Sequence, residues 1–212
     1  MEICKKFIFL ILIVFSFTLK NSFGMQEKPK KYSLSQANEF WETCGLFSYI
    51  PYNKENPTKI TPIRVAYHEA SHVLLAKHYN HIIKHVTIKP SSKTYGITKR
   101  PEEDLFSNPE EAINVKLAGY VIETIKFGKA AYIIKDDLDK AAINALFIET
   151  FSFFTHKTAI EALEQCLTQT HKIISENLEI IETIARALLE KKTLTGEEID
   201  LIFNSLIDTN KQ

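Results

Sequence analysis

A chain of 212 residues, 45% hydrophobic and 25% charged, has ordinary globular composition and is long enough for one domain with a full core. Its 26 basic residues balance its 26 acidic ones, so no basic face is advertised to nucleic acid or acidic lipid, and nucleic-acid binding is excluded as a first expectation. Cys4, Cys44 and Cys166 stand apart without CxxC spacing, which excludes a zinc ribbon or disulfide-dense scaffold and leaves open a Cys44–Cys166 pair in an oxidising compartment.

Residues 1–24 differ from the rest. Lys5 and Lys6 precede an apolar run from Phe7 to Leu19, and Ser22 and Gly24 are small residues suited to cleavage before Met25. This pattern reads as an export signal. A bilayer span needs about 20 apolar residues, so a cleaved leader is expected over a permanent anchor, and the lysines favour sending the remainder across the membrane. The expected location is periplasmic or secreted, with attachment through residues 7–19 as the alternative. Residues 25–60 form a lead-in rich in lysine and proline, with one short helix expected over Ser35 to Glu42.

The domain proper is expected over residues 61–212. Thr61-Pro62 offers an N-cap and a first-turn proline, opening a helix that runs through His68-Glu69-Ala70-Ser71-His72 to about His78. Val86-Thr87-Ile88 and Gly96-Ile97-Thr98 are β-prone runs around a Pro90–Lys93 turn, predicting a small hairpin or sheet edge. Asn108-Pro109-Glu110-Glu111 opens a helix that stops near Phe127-Gly128. Another should start near Asp136 and carry Leu138, Ala142, Leu146 and Phe147. Apolar residues then recur at Ile160, Leu163, Leu167 and Ile174, and at Ile181, Ile184, Ala185 and Leu188, the spacing of helices packed on one face. Thr195 and Glu198 form a capping box for a last helix through Leu201 and Ile202. The fold class is mainly α, a zincin-type helical domain with a small β element beside the HExxH helix.

Residues four apart project from one helix face, so His68 and His72 can hold one ion, and zinc suits nitrogen donors. Glu69 is placed to take a proton from a water at that ion. A bare HExxH also arises by accident on surface helices. Here Val65, Ala66, Ala70, Val73, Leu74 and Leu75 make the helix largely buried, and buried histidines and a glutamate need partners. A third ligand is required. His78 completes HExxHxxxxxH, but Leu75 occupies the position where that arrangement needs glycine. A continuous helix turns His78 by about 240° and carries it about 9 Å from His72, so it is read as a helix-end histidine. Glu123 on the next marked helix and Asp137 at the start of the one after remain, and residue chemistry alone leaves them nearly equal.

Val65-Ala66-Tyr67-His68-Glu69-Ala70-Ser71-His72 resembles the AYHEAGH segment of the FtsH family of ATP-dependent zinc proteases. Val86 to Pro90 is similar to that family's VTIxPR, and Gly96-Ile97-Thr98 and Pro101 to Asp104 follow in order. Leu117-Ala118-Gly119-Tyr120 through Glu123 and Phe127-Gly128 resembles LxGGRAAExxxFG, Asp136 to Ala141 resembles NDLxxA, and Leu188 to Glu198 resembles LLExETLxGEE. The likeness runs from about Ile63 to Ile202. It implies His68, His72 and Asp137 as ligands of one zinc per chain, Glu69 as general base, and Glu123 as a carboxylate orienting a ligand histidine. It also implies that an extended polypeptide substrate adds to an edge strand, here taken as Val86, Thr87 and Ile88. Ser71 replaces a glycine of the motif, and Ala118 and Tyr120 replace a glycine and an arginine around Gly119.

No GxxxxGK phosphate loop occurs among the six glycines, and the expectation is a peptidase that neither binds nor needs ATP. The expected function is an ATP-independent zinc endopeptidase acting on unfolded proteins or peptides, with homo-oligomers admissible. The alternative is a non-catalytic peptide-binding or regulatory relative of FtsH proteases.

Overall fold

A computed structural model describes residues 60–91, 94–100, 108–131, 135–151 and 157–209. The leader, the helix expected over Ser35 to Glu42, Cys44 and the Pro101–Asp104 segment lie outside the described residues.

Helix α1, Pro62–His78, begins where local chemistry dictates. The Thr61 side chain accepts the Arg64 N–H, and Pro62 fills the first turn, where its missing N–H costs nothing. The helix passes through Leu75 without a break, and Arg64–Ala66 and His68–Ala76 are all buried. Each large core side chain, such as Val73 or Leu75, contributes about 1.5–3 kcal/mol by leaving water. The polar groups carried inward with them must therefore find partners.

Two short strands follow, β1 His85–Thr87 and β2 Ile97–Lys99, paired antiparallel with Val86 opposite Thr98. Helix α2, Pro109–Phe127, is capped by the Asn108 side chain, which accepts the Glu110 N–H at 2.9 Å, and closes on Gly128 at φ 74°. Helix α3 spans Lys135–Phe151, α4 Ala159–Glu176 and α5 Leu178–Lys191. Their inward stripes are Leu138, Ala142 and Ala145; Leu163, Cys166 and Ile174; and Ile181, Ile184 and Leu188. Ile160 and Phe147, expected on packed faces, are exposed. A capping box between Thr158 and Glu161 opens α4. The chain leaves α5 through Lys192 at φ 66°, forms β3 Thr193–Thr195, and enters α6, Gly196–Thr209, through the Thr195–Glu198 box.

The layers are helical: α1 packs on α2 and α5, and α2 packs in turn on α3 and α4. The sheet, ordered β2-β1-β3 and antiparallel throughout, lies beside α1. This order corrects one expectation. Val86 and Thr87 belong to the central strand, with Leu194 and Thr193 paired on one side and Thr98 and Ile97 on the other. The Ile88 N–H is taken by the Lys192 carbonyl at 2.9 Å. Val86 and Thr87 therefore have no open edge for an added strand, because β1 is paired on both sides, and the Ile88 N–H is already engaged. Among the described residues, no helix is long and apolar enough to cross a membrane.

Candidate metal centre

Three side chains from two helices converge in the core. His68 and His72, one turn apart on α1, bring their Nε2 atoms to 3.0 Å, and Asp137 in the first turn of α3 sets Oδ2 3.3 Å from the first and 3.1 Å from the second. The outer ring nitrogens fix the tautomers. His72 Nδ1 lies 2.7 Å from the Val115 carbonyl and His68 Nδ1 lies 3.1 Å from Glu123 Oε1, so both Nδ1 atoms donate and both Nε2 atoms turn lone pairs inward. Three acceptors facing one another repel unless a cation lies between them.

The donor set fits zinc. Ligands held about 2.0–2.1 Å from a tetrahedral zinc stand about 3.3–3.4 Å apart, close to the 3.0–3.3 Å separations here. Two imidazoles and one carboxylate are a recognised zinc combination that leaves a fourth position for water. Without an ion, a proton on the inner nitrogens answers the same demand for positive charge, and Nε2 then donates to Asp137 instead of presenting a lone pair. Burial disfavours a charged His68, yet hydrogen bonds to Asp137 and Glu123 and the negative charge of Glu69 outweigh it and push the imidazole up to about 10. Burial likewise favours a neutral Asp137, but the charge of His72, hydrogen bonds from both imidazoles and the nearby Lys116 hold it well below the usual carboxylate range.

Glu69 is only 5% exposed, and its carboxylate meets β2, where the Thr98 hydroxyl donates to its Oε2 at 2.8 Å. Gly96 is the close neighbour on the other side. A β-carbon there would lie 2.7 Å from Glu69 Oε1, so only glycine lets β2 come this near. Glu123, fully buried, orients His68 through Oε1, while its Oε2 accepts from Arg64 at 3.1 Å and from the Ala131 N–H at 2.8 Å. Arg64 also donates to the Lys129 carbonyl and lies over the Phe127 ring at 4.3 Å, so the buried ion pair is well furnished with partners. Ser71 donates to the His68 carbonyl at 2.6 Å, which satisfies the hydroxyl that stands in place of glycine. His78 is exposed at the end of α1, edge-on to Tyr79, and takes no part in the group.

The structure thus gathers His68, His72 and Asp137, sets Glu123 behind His68, and keeps Glu69 beside β2. Arg64, Thr98 and Lys116 were not singled out from the sequence. Lys116 had a legible signal, as a charged residue inside an otherwise buried stretch of α2. Cys166 is a free, buried thiol under α2, its sulfur 3.8 Å from the Glu110 carbonyl.

No family model matches the chain. Similar curated proteins are nevertheless consistent among themselves. The ATP-dependent zinc metalloprotease FtsH of Lachnoclostridium phytofermentans is 31% identical over 167 residues, covering 65% of this chain and 29% of the relative. FtsH 2 of a Thermoanaerobacter species is 27% identical over 176 residues, covering 71% and 34%, and FtsH of Thermus thermophilus is 25% identical over 182 residues, covering 66% and 29%. The chain therefore spans about a third or less of the length of these relatives. A helical fold with a small sheet, a His-His-Asp group and these likenesses lead to one conclusion: the chain carries an FtsH-like protease domain, similar over about two thirds of its length to zinc metalloproteases.

Proposed function

We propose that this domain is a zinc endopeptidase that hydrolyses loose or unfolded polypeptide without ATP. The observation that carries the reading is the convergence of three acceptor atoms, two imidazole nitrogens and one carboxylate oxygen, beside a buried glutamate. His68, His72 and Asp137 would hold the ion, which when bound supplies a Lewis acid for a peptide carbonyl and for water.

The chain's own residues supply the rest. Glu69 accepts a proton from water and passes it to the leaving amine, and Thr98 keeps its carboxylate oriented through the hydrogen bond to Oε2. Glu123 and Val115 hold the two imidazole rings through Nδ1 with Nε2 turned inward, so the ring orientations are set before an ion enters. An extended substrate is best placed along β2, the terminal strand of the sheet, because β2 carries Thr98 against Glu69 and exposes Tyr95 and Ile97 beside it. The two lysines and the apolar run of residues 5–19 support a place of action outside the cytoplasm.

The test is cleavage of unfolded casein by the purified chain, with and without 1,10-phenanthroline. Cleavage that stops on chelation and returns with zinc supports the reading. A second reading, a non-catalytic relative that binds peptides, is favoured by Tyr120 standing where the family pattern has arginine. It calls for a chain that cleaves no unfolded substrate even when loaded with zinc.

A further inference from the structure

Helix α2 supplies no ligand, yet it touches all three. The Val115 carbonyl receives the His72 Nδ1–H, Gly119 lies against the His68 ring, and Glu123 receives the His68 Nδ1–H. The remaining ligand, Asp137, is met by Lys116, whose Nζ donates to Oδ1 at 2.8 Å. Residues 116, 119 and 123 follow helical spacing on one face, so α2 is a rail along which the ligand set is held.

The two carboxylate oxygens of Asp137 are divided. Oδ2 faces both histidine Nε2 atoms, while Oδ1 is turned to Lys116, whose side chain keeps about a quarter of its exposure. In helix α2 every residue from Ala112 to Glu123 except Lys116 is buried. An ammonium reaching in from that one open position is a specific arrangement, since a carboxylate near a cation otherwise turns freely between one-oxygen and two-oxygen contact. We propose that Lys116 is a positioning residue that holds Asp137 as a one-oxygen ligand and so keeps a coordination position free for water and substrate.

This rests on the zinc-site reading and acts through Asp137, in direct analogy to the way Arg64 holds the outer oxygen of Glu123. Lysine is suited to the task because it engages one oxygen as a point charge, where an apolar residue would leave Oδ1 free to turn inward. Lys116 is also distinct from Glu69, since it reaches the ligand and not the water.

The test uses the full chain loaded with cobalt(II), whose visible band is strong for four-coordinate sites and weak for five-coordinate ones. Lys116→Met and Lys116→Gln are compared with Lys116→Arg and the wild type, with thermal melts to establish folding. The expected result is a weakened band in the Met and Gln variants, with cobalt held about ten- to a hundredfold less tightly, and recovery of the band in the Arg variant. An unchanged band in the Met and Gln variants overturns the proposal, whether or not affinity moves, because charge alone alters affinity. A weakened band that arginine does not restore overturns it as well. A wild-type chain that takes up no cobalt overturns the metal site itself, and the proposal with it.

Discussion

The imidazole of His68 lies directly against the backbone of Gly119. A β-carbon on that glycine would stand 2.2 Å from Cε1 and 2.4 Å from Nδ1 of the ring. Glycine within a helix costs about 1 kcal/mol relative to alanine, so this one is retained for the space it leaves. Gly119→Ala should drive the ring from its seat, destabilise the fold by roughly 1–3 kcal/mol, and weaken zinc binding by at least about tenfold. Thermal melts and chelator competition measure the two effects. Position 118 carries alanine without such penalty because the ring is seated on residue 119.

Glu123 divides its oxygens between His68 and the pair of Arg64 and the Ala131 N–H. Glu123→Gln keeps the shape and removes the charge, and should cost about 10–100-fold in zinc affinity. Glu123→Ala leaves the Arg64 guanidinium buried without its carboxylate and should cost about 3–5 kcal/mol of stability as well. Comparing the two variants by denaturant unfolding separates the role in orienting His68 from the role in pairing Arg64.

The pH dependence of stability should change sign with metal. In protein stripped of zinc, the folded pKa of His68 lies near 10 against 6.5 unfolded. Its contribution is then full below the unfolded value and is lost as pH rises toward the folded one. Asp137, held well below its usual range, contributes above the unfolded carboxylate value and loses that contribution as pH falls. Stripped protein should thus melt at lower temperature at pH 9 than at pH 6. Zinc requires the deprotonated imidazole, so the loaded protein should gain stability between pH 6 and pH 8. Melting temperatures across that range, with and without chelator, check both signs.

Burial, with the charge of Glu110 nearby, pushes the Cys166 thiol up to about 12. Little thiolate exists at pH 8, and access is closed. The native chain should leave Cys166 unmodified by iodoacetamide over hours, whereas urea-unfolded chain should be alkylated within minutes. Mass spectrometry of the peptide bearing Cys166 reads the difference.

Much of this was legible because its causes are local. Thr61-Pro62, Asn108-Pro109 and Gly128 bound their helices through contacts within a few residues. The histidine pair was legible because one helix carries both. β3 was not, since Thr193–Thr195 becomes a strand only by pairing with β1, whose residues lie over a hundred positions earlier. The same pairing turned Val86 and Thr87 from an expected edge into the centre of the sheet. Residue chemistry left Glu123 and Asp137 equivalent as third ligands. The fold separates them, because Glu123 reaches only the outer nitrogen of His68 while Asp137 faces both inner ones. Arg64 and Thr98 act across elements, and no periodicity in their own segments marks them, whereas Lys116 is marked only as a charge within the buried stretch of α2.

The most direct measurement is Glu69→Gln, assayed for zinc content and for cleavage of unfolded casein in the same preparation. Glutamine keeps the size of the side chain and an acceptor for the Thr98 hydroxyl but cannot take a proton from water. The expected result is wild-type zinc with cleavage reduced by at least about a hundredfold. Undiminished cleavage by the zinc-loaded variant would contradict the assignment of Glu69 as the base of a zinc peptidase.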